Sequence, residues 1–371
     1  MTRRIPSGKS VTLRDVADRV GITPAAVSMA LAGSTRISAR TRASVQEAAA
    51  DLGYVGSSAA RALRKQQAGA IALIVPTTAT HVFGHSYFMH ILSGVSTSAN
   101  ERDVQLLIST SNDESNGVAA YERVMRSKSA DGAILTSAAI VDPTIGRLAS
   151  SGFPMVLIGN YPEIPSAVTV GIDDFRASGF VTDHLIEVHG RSRLLHVAGP
   201  LDHQTGIDRR DGFLDSLERH GMSSDGFVVE GDFSEASGFA AISDLSLHDR
   251  TFDGMVFAND DMAFGGLQAL ELQRIEVPRD VSIVGFDDFG LSRVTTPGIS
   301  TVHVPAEYMA RLAADRLFQL IAGEVGGWTR KEVGVSFVPR RSCGCEEPAP
   351  RLATPGPRST EAPTASVPIT P

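Results

Sequence analysis

Residues 13–31 read LRDVADRVGITPAAVSMAL, and their spacing decides the first domain. Leu13, Val16, Ala17 and Val20 recur at intervals of three and four, the stripe of an amphipathic helix. Thr12 stands at the N-cap with Asp15 completing a shortened capping box, and Gly21 ends the helix in a tight reversal. Thr23 caps a second helix with Pro24 at its first position, where the missing N–H costs nothing. Val27, Ala30 and Leu31 are its inward stripe. A third helix is predicted from about Ala39 to Leu52, capped by Ser38 and stopped by Gly53, with Val45, Ala48, Ala49 and Leu52 facing inward. Two short helices joined by a glycine turn, closed by a third, make a helix-turn-helix arrangement.

Charge is distributed unevenly around this segment. Through Ala70 there are eleven basic and four acidic residues, a net +7, which leaves −15 for the rest of a chain whose total is −8. A basic head on an acidic body implies that only the head meets a polyanion. Residues 1–10 are polar and basic and lack the apolar core of a secretory signal, so the cytoplasm is the expected location. No apolar run reaches the roughly 18 residues that a membrane span needs. Ser57 to Arg64, rich in Ala, reads as about two turns of helix, too short to be stable without a partner.

From Gly69 the pattern changes. Ile71–Val75 is a dense apolar run, as in a buried parallel strand, and similar runs follow at 104–108, 132–135, 155–158, 193–197, 254–258 and 281–286. Helical stretches separate them, for example 89–101, 119–127, 177–188, 209–220 and 262–272. Repeated β-α units imply parallel, doubly wound sheets. Their number calls for two lobes, with the break near Thr169 to Asp174 and a ligand between them. The expected domains are 1–10, a basic N-terminus; 11–56, the helix-turn-helix; 57–68, a hinge; and 69–345, an effector-binding and dimerisation body. Its first lobe takes about 69–169 plus 298–328, and its second about 170–297 plus 329–345. Residues 346–371 hold seven prolines and almost no large apolar side chains, which predicts a disordered tail.

Several chemistries are absent. There is no GxGxxG after the first strand, no phosphate-binding loop and no Ser-His-Asp arrangement, so an enzyme is not expected. Cys343 and Cys345 supply two sulfurs where a structural zinc site needs about four ligands, so both read as free thiols. His81, His85 and His90 have no nearby carboxylate or cysteine to complete a metal site. Neither a metal nor another cofactor is expected.

The ordered motifs resemble the lac-repressor/purine-repressor family of bacterial transcriptional regulators over roughly residues 11–345. The resemblance rests on residues 13–31, on RISARTRASVQEAAADLGY at 36–54 and AARALR at 59–64. In the body it rests on HVAGP, RRDGF, EGDFSEASGF, ANDDMAFGGLQAL and VPRDVSIVGFDD. It implies a small all-α DNA-binding domain ahead of a two-lobed α/β body like that of periplasmic binding proteins. The implied function is a sequence-specific DNA-binding regulator, a repressor whose operator affinity a sugar or nucleobase-like effector changes. An effector-independent regulator or activator of the same family is the alternative.

The resemblance also places residues. The second helix would enter the major groove, with base contacts from positions matching Pro24, Ala25 and Met29 and polar contacts from Thr12, Thr23, Ser28 and Arg36. Met29 replaces the family's usual arginine and cannot make its bidentate contact to guanine, whereas Pro24, Ala25 and Met29 can touch thymine methyl groups. In the hinge, Leu63 matches a leucine that wedges between base pairs, with Ala60 small and Arg61 near the minor groove. Two heads and two hinges imply a homodimer on a near-palindromic operator. Its face is expected on the helix near Tyr87 to Asn100 (Phe88, Ile91, Leu92, Val95) and near Tyr121 and Met125, though the same stripe suits core packing. Effector contacts would come from Tyr87, Phe88, Asp173, His203, Thr205, Arg209, Phe233 and Asp260. Asp287 and Asp288 read instead as turn-capping acids.

Overall fold

A computed structural model describes residues 11–54, 67–111, 118–140, 143–222, 228–245, 252–324, 326–346 and 367–368. They fall into two units that divide at Gly69.

In the first unit, α1 (Leu13–Val20), α2 (Pro24–Leu31) and α3 (Ala39–Leu52) start and stop where their caps stand. Thr12 accepts from the amide of Asp15 while the Asp15 carboxylate accepts from the amide of Thr12 at 2.8 Å. Thr23 and Ser38 cap the next two helices through the amides of Ala26 and Thr41. Gly21 and Gly53 take the left-handed conformation that stops a helix. Val16, Ala17, Val27, Ala30, Val45, Ala48 and Ala49 form the core. The predicted hinge residues Ala60, Arg61 and Leu63 lie outside the described residues.

The second unit holds two parallel sheets. In the first lobe are β1 (Ala70–Thr78), β2 (Gln105–Ser111), β3 (Gly132–Thr136), β4 (Met155–Ile158), β5 (Thr169–Gly171) and β11 (Arg330–Glu332), in the order β11-β5-β4-β3-β1-β2. Ile71, Leu73 and Val75 face one layer and Ala72 and Ile74 the other, as strand alternation requires. Helices α4 (Ala79–Gly84), α5 (Ser86–Asn100), α6 (Val118–Ser127) and α7 (Pro143–Ala149) lie between these strands in sequence, and α12 (Ala306–Ile321) packs against β3 and β4. The second lobe contains α8 (Asp174–Glu187), β6 (Leu194–Ala198), α9 (Gln204–Arg219), β7 (Val228–Glu230), α10 (Glu235–Ser243), β8 (Gly254–Phe257), α11 (Asp260–Leu272) and β9 (Ser282–Val284). Its sheet order is β7-β6-β8-β9. In each sheet the winding reverses beside the first strand, between β1 and β3 and between β6 and β8. That is where such folds open a crevice at their strand ends.

The third and shortest sheet corrects the expected lobe boundaries. β10 (Thr301–His303) pairs with β12 (Ser336–Val338), and Ser300 bridges Val284 of the second sheet. Residues 298–303 therefore belong beside the second lobe. β11, expected in the second lobe with the rest of 329–345, instead joins the first-lobe sheet, where it satisfies the otherwise open edge of β5, and Val333 N bonds Gly171 O at 2.8 Å. The chain thus crosses between lobes three times, near residues 172, 304 and 334. The tail is also not wholly without structure: Val367–Pro368 (β13) pairs with Phe337 and Ser336 on the free edge of β12.

The stripe considered for a dimer face is core. Phe88, Ile91 and Val95 are buried, and Tyr121 is fully buried within the other layer. Contact between α5 and α12 is so close that a Cβ on Gly94 would lie 2.3 Å from the carbonyl oxygen of Glu307, so this face of α5 is already covered within the chain.

Candidate effector cleft and DNA-reading head

Between the lobes lies a cleft of about 860 Å³, counted out to its open mouth. Its lining comes from one strand end after another. His85, Tyr87 and Phe88 follow β1; Thr136, Ser137 and Ala138 close β3; Asn160 and Tyr161 follow β4; Asp174 follows β5. From the second lobe come His203, Gln204, Thr205 and Arg209 after β6, Phe233 after β7, Asn259 after β8 and Asp287 after β9. Six predicted contacts therefore surround one space: Tyr87, Phe88, His203, Thr205, Arg209 and Phe233.

Arg209 forms the buried floor. Its Nε donates to Asp174 Oδ1 at 2.8 Å, Nη1 donates to the carbonyl of Ala258 at 2.5 Å, and Asp287 Oδ1 lies 3.7 Å from Nη1. The guanidinium stands 3.6 Å over the ring of Phe286. Burial pushes the Asp287 carboxyl well above its ordinary range, with Arg209 pulling the other way. Asp174 is raised for the same reason and opposed by the same guanidinium. Burial likewise lifts the Tyr87 hydroxyl, against a hydrogen bond with Thr136. Arg209 is one turn into α9, which begins at Gln204 rather than at the arginine itself.

Shape comes from backbone held in unusual conformations. Ser137, Phe233 and Asp287 have φ of 54°, 69° and 112°, a left-handed geometry costing about 1–3 kcal/mol for each such residue. Asn259 holds one of them, its Nδ2 donating to the carbonyl of Phe233 at 2.8 Å. The Phe233 ring then occupies the space where a side chain on Gly199 would sit, within 2.1 Å of a Cβ there.

Two predicted contacts are corrected. Asp260 does not line the cleft: at the first position of α11 its buried carboxylate accepts from the amides of Asp288 and Phe289 (2.8 and 3.3 Å) and from Thr301 Oγ1 at 2.6 Å. It ties the helix start to two loops, and burial lifts its carboxyl to about 7 against the pull of the Thr301 and Ser292 hydroxyls. Asp173 caps α8 by accepting from Arg176 N at 2.9 Å, and its neighbour Asp174 reaches the cleft instead. Of the acids read as turn caps, Asp288 is engaged by Arg293, His303 and Arg340, whereas Asp287 faces the cleft. The signal that could have found Asp287 and Asn160 is position: each sits just past a strand, in IVGFDD and VLIGN.

In the head, Thr23, Pro24, Ala25 and Met29 are exposed on one side of α2, with Ser28 half-buried among them. Met29 is 38% exposed, so it points outward rather than packing between helices. The hydroxyls of Thr12 and Thr23 take part in capping. Arg36 is exposed beyond the helix end, while Arg42 donates to the carbonyl of Gly33 at 3.2 Å.

Comparison with known proteins now decides the identity of this arrangement. Residues 12–57 match the pattern described as bacterial regulatory proteins, lacI family, and residues 182–343 match a periplasmic binding protein-like domain. The chain is 32% identical over 319 residues to the HTH-type transcriptional regulator CelR of Thermobifida fusca, covering 84% of this chain and 92% of that one. The chain belongs to the lacI family. It is a DNA-binding transcriptional regulator. A solved CelR–cellobiose complex superposes with a TM-score of 0.69 at 30% identity, covering 90% of this chain and 99% of the other. The lac repressor dimer bound to operator and the anti-inducer ONPF shares the fold with a TM-score of 0.80, at 24% identity over 90% of this chain and 99% of that one. In this lacI-family regulator the second-lobe side of the cleft, His203 to Asp287, falls in the segment that matches the periplasmic binding protein-like domain, and α2 is the second helix of its helix-turn-helix. Among the described residues no helix is long and apolar enough to cross a membrane.

Proposed function

We propose that the chain is a cytoplasmic repressor, not an enzyme, that binds a near-palindromic operator as a homodimer and changes its DNA affinity when a neutral polyhydroxylated molecule, a sugar, enters the cleft. The observation that carries this reading is the floor of the cleft. Arg209 is already ion-paired to Asp174 and faced by Asp287, so it offers little net positive charge to an anionic ligand. What remains is a fork of donors and acceptors beside the Phe233 ring, with Thr136, Asn160, Gln204 and Asn259 around it, a set suited to hydroxyl groups and an apolar sugar face. The cellobiose bound by CelR supports the class. Closure of the lobes on that ligand would move the segments that lead to the heads, and coupling makes the two affinities change by one common factor.

The test is thermal stabilisation of the full chain by mono- and disaccharides, sugar phosphates, nucleobases and nucleosides, repeated with Asp287→Asn. A neutral sugar should raise the melting temperature, and the variant should lose most of that rise. Stabilisation by sugar phosphates alone would overturn the neutral-ligand reading. Operator binding that no stabilising compound alters would favour the effector-independent regulator.

A further inference from the structure

Sequence spacing sets Cys343 and Cys345 apart from any histidine, but the fold does not. His184 lies in the last turn of α8, His189 two residues past its end, and the two cysteines in the segment that follows β12. Their four ligand atoms all lie within 4.8 Å of one another. The two Nε2 atoms are 3.1 Å apart, Cys345 Sγ is 3.4 Å from each of them, and Cys343 Sγ is 3.7 Å from His184 Nε2.

These four separations come close to edges of a tetrahedron around one ion, and the remaining two are no longer than 4.8 Å. With metal–sulfur bonds of about 2.3 Å and metal–nitrogen bonds of about 2.0–2.1 Å, a tetrahedral site has N···N, S···N and S···S edges of about 3.3, 3.6 and 3.8 Å. Hydrogen bonding accounts for the cluster less well. One ring nitrogen would have to donate where the other accepts, and the Cys345 thiol faces both of them, while the Cys343 thiol also lies 3.3 Å from the carbonyl of Arg340. A single cation satisfies all four at once.

The surrounding residues hold this geometry. Gly344 has φ 109°, and a Cβ there would lie 2.9 Å from His189 Nδ1, so a side chain at this position would displace the imidazole. The His184 ring lies 4.6 Å from the ring of Phe337 on β12. Cys343 is fully buried, and its carbonyl accepts from Ser282 Oγ on β9 at 2.8 Å.

We propose that His184, His189, Cys343 and Cys345 form a structural zinc site that fastens the end of α8 to the last segment of the body. Two imidazoles and two thiolates in a closed tetrahedron select zinc among the common divalent ions, and four protein ligands leave no position for a reacting water. None of the four residues lines the cleft.

Full-length protein, purified without chelators or a metal-affinity step, should carry one zinc per chain by elemental analysis. Exchange into cobalt should give the intense visible absorption of a tetrahedral thiolate site. Both thiols should resist alkylation until a chelator is added, and chelation should lower the melting temperature. In Cys345→Ser and His189→Gln, both at half-buried positions, zinc affinity should fall at least tenfold and the chelator should no longer shift melting. Zinc content in the wild type no higher than in these variants would overturn the proposal. So would a Cys343–Cys345 disulfide in protein alkylated at lysis, or uptake of copper(I) with no uptake of zinc or cobalt; the cobalt spectrum needs no variant, so a misfolded mutant would not obscure the result.

Discussion

The head and the cleft solve different problems with different reach along the chain. Everything that shapes the helix-turn-helix lies within residues 12–54, each cap bonding an amide three residues away. The cleft draws on strand ends from His85 to Asp287, and its central pair, Arg209 and Asp174, is 35 residues apart. One region is specified locally and should respond locally. In the other, a single buried group supports several segments. Trp328 is the only tryptophan and lies in the body, so its fluorescence separates the two responses.

The largest effect should come from Arg209→Leu. Removing one partner of a buried ion pair costs about 3–5 kcal/mol, here by leaving Asp174 and Asp287 without their cation. Urea unfolding followed by Trp328 should show this loss. A change below about 1 kcal/mol would mean that the cleft is as locally specified as the head.

Next in size is a pH dependence confined to the body. Asp260 titrates near 7 when folded, above its ordinary 3.8. The folded state therefore holds the proton more tightly, and stability is highest below about pH 4 and falls as pH rises towards 7, by on the order of 3 kcal/mol. Asp287 is shifted in the same direction; Asp288, lowered to about 2, contributes stability that is lost only as pH falls below the ordinary carboxylate range. Asp260→Asn, which can still accept from two amides, should flatten the slope in Trp328-monitored unfolding. An undiminished slope would assign it to Asp287 and Asp174.

Thr23→Ala should cost about 1 kcal/mol, the usual value of an N-cap, and only in the head. Operator affinity should drop while Trp328-monitored unfolding stays put; a shift in that signal would break the contrast. Met29→Ala should have the smallest effect on folding, within about 0.5 kcal/mol, because the side chain points outward. Selection of operator sequences should then show relaxed preference at one base position in each half-site. A loss of stability instead would place Met29 in the core.

The same difference in reach explains what could be read from the residues. Helix periodicity and capping are short-range, so Thr12, Thr23, Ser38, Gly21 and Gly53 mark the observed helix ends. Apolar runs likewise located the longer strands and β9, which lies inside the run 281–286, but not three-residue β5, β7, β10, β11 and β12, which lie outside those runs. Among neighbouring acids the sequence does not tell which one turns inward. Asp173 and Asp260 were expected in the cleft and are held by nearby amides, while Asp174 and Asp287 face it. The sulfur count has the same limit: His184 and His189 come near Cys343 and Cys345 only through the fold.

The three crossings near residues 172, 304 and 334 limit how the body can move. Val333 is bonded to Gly171 and Val304 to Asp287, so two of the connecting segments are tied to the chain running beside them. Sliding one sheet across the other would shear all three connections together, whereas opening bends each of them slightly. Opening and closing of the cleft is therefore the motion that these connections resist least. Under the proposed function, ligands of different shape would then differ in how far the lobes close and not in the kind of motion they produce.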